Sequence, residues 1–163
     1  MASLEQVGSL YFMHDRTQGD VNQVKELAAI GYHNMTAAQK TLWLSDLPGA
    51  FNLSDINRIE LNIQTIATEI NVTHNARQWN QADRPRASDF AQIRDDVARI
   101  RSNYITYDST PTVPDAPLNT FSKINDIEQI LRDIHELYLA NTGTFSYTRS
   151  SGEIFTGEDI GDI

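Results

Sequence analysis

His14, His33, His74 and His135 are the only imidazoles in this chain, and they are the first residues to test for metal or general-base chemistry. His135-Glu136 opens like the zinc-binding helix of a metalloprotease, which needs a second histidine one turn later, but Leu139 stands at that position. No other histidine has a partner at metal-ligand spacing, so His135 reads as a surface or half-buried helix residue. Two adjacent carboxylate pairs, Asp95-Asp96 and Glu158-Asp159, are the other candidates. Neighbouring residues on a helix point about 100° apart, so Asp95 and Asp96 would not share a site and read as a solvated face. Glu158 and Asp159 with Asp162 offer oxygen ligands for a loosely held calcium, but an acidic tail is the simpler reading. Cysteine is absent, which excludes disulfides, thiolate zinc sites and cysteine nucleophiles. There is no Gly-rich phosphate loop and no Gly-x-Ser-x-Gly elbow. The chain thus offers no catalytic, cofactor-binding or metal-binding set, and it reads as a non-enzyme.

Recognition chemistry is better represented. Tyr11, Phe12, Trp43, Trp79, Tyr107, Phe145, Tyr147 and Phe155 lie mostly at helix ends and in segments without helical period. They are either core filling under long loops or anchors of a partner surface, where aromatic side chains dominate the binding energy.

The elements that would position them follow from periodicity. Leu4 to Met13 reads as a short extended arm. Val21, Val24, Leu27 and Ala28 have helical spacing, and Gly31 stops that helix. Thr36-Ala37-Ala38-Gln39 is a capping box opening a short helix that carries Leu42, Trp43 and Leu44. Ile56, Ile59, Ile63, Ile66 and Ile70 step 3, 4, 3, 4 along a third helix capped by Ser54, a continuous stripe of stiff β-branched side chains. Ser88 caps a fourth helix with Phe90, Ile93, Val97 and Ile100 in the same rhythm; Asp95 and Arg99 pair on its solvent side. Pro111, Pro114 and Pro117 then impose an extended connection. Ser122 caps a fifth helix striped by Ile124, Ile127, Leu131, Ile134 and Leu137, with Glu128, Arg132 and Glu136 as a ladder on its exposed face. Beyond Gly143, residues 144–156 alternate around Ser150-Ser151-Gly152 as a β-hairpin, and an acidic tail follows.

One octapeptide occurs twice with Ser, Ile, Asn, Ile and Glu identical, five of its eight positions. Leu53-Ser54-Asp55-Ile56-Asn57-Arg58-Ile59-Glu60 recurs as Phe121-Ser122-Lys123-Ile124-Asn125-Asp126-Ile127-Glu128, 68 positions on. Asp15-Arg16 recurs as Asp83-Arg84 at the same offset, and a prolyl segment precedes each octapeptide. Residues 15–71 can be laid on 83–140, which reads as two related halves of one domain. The expected fold is therefore mainly α: a bundle of about five helices over residues 1–143, built from two related halves, with a small terminal β-hairpin or arm.

At 163 residues the chain is one domain by size, and a net charge of −9 argues against a nucleic-acid backbone as partner. No apolar run approaches bilayer length and no signal peptide is recognisable, so neither a membrane nor a secretory route is expected.

Several strings together resemble a helical module of tail and baseplate-region proteins of phages infecting Gram-positive bacteria. They are Asp15 to Val21, Met35-Thr36 through Trp43-Leu44, Pro48 to Asn52, Trp79 with Asp83 to Asp89, Ile124 to Glu128, and Gly152 to Glu158. The resemblance spans nearly the whole chain and implies a non-enzymatic virion protein assembled in the host cytoplasm. It implies other virion structural proteins as partners, a homo-oligomer in the particle, and no catalytic residues. A host cell-wall carbohydrate module and a cytoplasmic bacterial adaptor are the two alternatives.

Overall fold

The computed structural model describes residues 2–143. The C-terminal hairpin and acidic tail expected at 144–163 lie outside the described residues, as do Phe145, Tyr147 and Phe155. The described chain runs β1 (Glu5–Val7), β2 (Leu10–Phe12), α1 (Gln18–Ile30), a single 3₁₀ turn (Tyr32–Asn34), α2 (Ala37–Trp43), α3 (Leu53–Glu69), α4 (Ala87–Asn103) and α5 (Phe121–Asn141). It is mainly helical, with five helices and one small antiparallel hairpin, as expected.

The isoleucine stripes make the centre. Helices α3, α4 and α5 pack against one another pairwise. Ile56, Ile59, Ile63 and Ile66 meet Ile93, Val97 and Ile100 and the α5 residues Ile124, Ile127, Leu131 and Ile134 in one buried cluster. Each such side chain contributes about 1.5–3 kcal/mol by burial. Helix α5 also buries Ile130, Asp133 and His135, so it is covered on more than its striped face. A satellite cluster of Leu27, Met35 and Leu47, with Val24, Leu42, Trp43 and Ala50 against it, joins α1 to α2. The loop after α2 reaches α1 at Gly49, where a Cβ would lie 2.1 Å from Asp20 O. Only glycine allows that approach.

The N-terminal arm is folded back on itself. Gly8 takes φ +59° at the first position of a two-residue turn, and Glu5 pairs with Phe12, Gln6 with Tyr11 and Val7 with Leu10. Val7, Leu10 and Phe12 enter the core while Tyr11 faces outward. The turn rests on α5, since a Cβ on Gly8 would stand 2.7 Å from Leu139 Cδ1.

Helix starts are displaced from the serines. The caps of α3, α4 and α5 are Asn52, Arg86 and Thr120, two residues before Ser54, Ser88 and Ser122. Asn52 Oδ1 accepts from Ser54 N and Asp55 N while Asp55 takes Asn52 N, so a reciprocal box forms two residues upstream of Ser54. Thr36 and Gln39 form the expected box on α2, and Thr17 with Asp20 forms another on α1.

Candidate interaction surface

Three extended segments connect these elements, and helix side chains hold each one by its backbone. Asn125 clamps Arg16 from both sides: Arg16 N donates to Asn125 Oδ1 at 3.3 Å, and Asn125 Nδ2 donates to Arg16 O at 2.8 Å. Asn57 does the same to Trp79, at 2.7 and 3.0 Å. One turn on, a buried glutamate takes the clamped residue's side chain. Arg16 Nη1 donates to Glu128 Oε1 at 3.0 Å, and Trp79 Nε1 donates to Glu60 Oε1 at 2.9 Å. The Asn and Glu of the repeated octapeptide thus do the same job in both copies. The position handled like Arg16 is Trp79, whereas Arg84, its expected counterpart, is exposed and among the described residues its side chain bonds only to Asp83 O.

The two glutamates differ in charge environment. Glu128 lies among Arg16, Arg58 and Asp55, and also accepts Met13 N at 2.7 Å. Two guanidinium groups and two carboxylates balance there. Glu60 has no ion pair among the described residues, and burial pushes its carboxyl above the usual range, against the lowering effect of the Trp79 and Arg77 N–H donors.

The prolyl connection is held by arginines. Arg94 Nε donates to Pro114 O and Arg101 Nε to Pro111 O, both at 2.8 Å. Seven helical residues rise about 10.5 Å and three polyproline residues about 9.3 Å, so the two spacings match closely. Asp96 receives Asn75 N and Nδ2, and Asp133 receives Thr110 Oγ1.

These contacts correct four expectations. Glu128 is fully buried, so the exposed ladder on α5 reduces to Arg132–Glu136 at 2.8 Å. Asp96 is buried rather than solvated, and it pairs with Arg99 in place of Asp95, which pairs with Arg94. His135 is buried, with Nδ1 2.9 Å from Glu69 Oε2. Phe12 and Trp79 are core residues and offer no side-chain surface to a partner. All four follow from extended chain lying over helix faces that a helix's own periodicity marks as solvent-facing.

The four histidines stay apart: His14 pairs with Glu5 at 2.6 Å, His74 Nδ1 accepts Ala76 N at 3.1 Å, and His33 sits in the 3₁₀ turn. Among the described residues no three His, Asp or Glu side chains gather as a metal site, and no helix is long and apolar enough to cross a membrane.

One open apolar surface lies near the arm. Leu4, Tyr11 and Leu61 are exposed and line a groove of about 450 Å³ with Leu10, Met13 and Leu47. Asn62 Nδ2 donates to Tyr11 O at 2.8 Å, so α3 engages the outer edge of β2. Tyr107 is exposed, and Trp43 is half-buried against the satellite cluster. Of the five aromatic candidates among the described residues, Tyr11 alone belongs to this groove.

The chain matches no family model, no curated protein and no solved structure.

Proposed function

We propose that the chain is a non-enzymatic structural protein of a phage virion, a scaffold or adaptor between other proteins of the tail, baseplate or a neighbouring appendage. The resemblance over residues 15–159 motivates the reading. The observation that carries it is that, among the described residues, each long extended segment is held by part-buried side-chain-to-backbone bonds. Loops that serve a moving lid or an adaptable site are drawn from the weakly held end of a structure. Here Asn57, Asn125, Arg94 and Arg101 each fix a connection, and the result is a stiff spacer. Its contact elements are the arm and the groove lined by Leu4, Tyr11 and Leu61. Strand β1 is the hairpin edge left for a neighbouring subunit to complete by main-chain hydrogen bonds.

Mass spectrometry of particles banded on a density gradient tests this. The chain should co-purify in fixed ratio to tail proteins through a second gradient. A chain that stays in the soluble lysate while intact particles band without it refutes the reading.

A further inference from the structure

A second cleft, of about 500 Å³, lies where α1, the loop after α2, the start of α4 and the approach to α5 meet. Val21, Pro48, Phe51, Phe90 and Ile124 are among its walls. The Phe51 and Phe90 rings stand 5.7 Å apart and tilted, and Phe51 remains 39% exposed. Gly49 fixes the loop wall against α1, and the Asn52 box fixes where α3 leaves it. The cleft is therefore preformed, and its volume suits one or two large apolar side chains.

Its charge is unlike that of the rest of the molecule. The chain carries a net −9, yet among the described residues the only charged ones lining the cleft are Arg16 and Lys25. Arg16 is balanced by Asp55 and Glu128, but its Nε is buried without a hydrogen-bond partner. Lys25 is exposed and makes no ion pair among the described residues.

We infer that this cleft docks an acidic peptide segment carrying a bulky apolar side chain, contributed by a neighbouring protein. The apolar side chain fills the space beside Phe51 and Phe90, and an adjoining carboxylate meets Lys25 at the rim. That the peptide belongs to a virion neighbour rests on the proposed function. The docking itself does not.

Fluorescence anisotropy on the whole chain tests it, using a fluorescein-labelled peptide of alternating glutamate and phenylalanine. One control peptide replaces glutamate by lysine, and the other replaces phenylalanine by serine. The acidic aromatic peptide should bind at least about tenfold more tightly than either control, and raising the salt should weaken it. Lys25→Glu, at an exposed and unpaired position, should weaken binding about fivefold with the melting temperature unchanged. Phe51→Ser should weaken it at least as much. Equal binding of the lysine peptide, or unchanged affinity in both variants, overturns the proposal. Self-association of the free chain that Phe51→Ser abolishes, with no peptide binding, overturns it in favour of a second copy as occupant. A chain that binds the acidic peptide but is missing from particles upholds the cleft and removes only the virion reading.

Discussion

Replacing Glu128 by glutamine changes almost no volume and removes one charge from a fully buried cluster. Glu128 accepts four contacts: Met13 N at 2.7 Å, Arg16 Nη1 at 3.0 Å, and Arg58 Nη2 and Nε at 2.8 and 3.2 Å. Glutamine offers one acceptor oxygen and two new donors, so at least one arginine N–H faces another N–H. The cluster also goes from balanced to a net positive charge. Removing one partner of a buried pair costs about 3–5 kcal/mol. At about 3 °C per kcal/mol for a chain of this size, a loss of about 4 kcal/mol lowers Tm by roughly 12 °C. Glu60→Gln is the matched comparison, because Glu60 holds the equivalent place without an arginine pair. Its folded pKa is raised by burial, so the native state holds a proton more tightly than the unfolded chain. The stability this gives is present at low pH and lost as pH rises through the folded pKa. Glutamine mimics the protonated acid and can still accept Trp79 Nε1–H, but its amide nitrogen then faces the Arg77 N–H that Glu60 Oε2 accepts at 3.3 Å. The relief of a buried charge and the loss of this long hydrogen bond oppose each other, so Glu60→Gln should cost no more than about 1 kcal/mol at pH 7. Urea unfolding followed at 222 nm measures both. Equal effects of the two substitutions would refute the argument that charge balance, and not the shared hydrogen-bond device, sets the cost at Glu128.

Three other outcomes follow from the contacts around the arm and the C-terminal segment. Hydrogen bonds from Arg132 and then His14 lower the Glu5 pKa to about 2, so its contribution is present above the unfolded value and lost as pH falls from about 4.5 towards 2. Glu5→Gln should flatten that part of an acid titration of stability, by at most about 1 kcal/mol because the side chain is 39% exposed and screened. Gly8→Ala should cost about 1–3 kcal/mol in thermal unfolding, since φ is +59° and Leu139 Cδ1 and His135 Nε2 lie 2.7 and 3.1 Å from the new Cβ. Deleting residues 144–163 should leave the helical circular dichroism of the five helices intact while preventing incorporation into particles; normal particles from the truncated gene would remove that segment from the proposed contacts.

The helices were legible because isoleucine spacing reports burial directly. Ile56, Ile59, Ile63 and Ile66 are all in the core, and Gly31 and the Thr36 box end and begin helices where their chemistry says they must. The caps were placed two residues late because several Asn, Ser and Asp crowd each start, and composition cannot choose which of them bonds back. Arg86 as a cap carries no such signal at all. Glu128, Asp96 and His135 were misplaced for a different reason. A helix's own sequence shows which face is apolar, but not which polar positions an extended segment from elsewhere will cover. The repeated Asn and Glu were the available clue. An asparagine three residues before a glutamate, at the same place in both octapeptides, is the pattern of a backbone clamp followed by a side-chain acceptor. Which segment they clamp was not legible, because Arg16 and Trp79 share no residue type, only an N–H donor and a backbone in reach. The two surface clefts arise where separate segments meet, so no local pattern announces them.

Immunogold electron microscopy of intact particles, with antibody raised against the whole chain and shown to bind it in assembled form, tests the central claim most directly. Label confined to tails, baseplates or appendages is the predicted result. Intact particles that carry no label, with the antigen recovered in the soluble lysate, would contradict it.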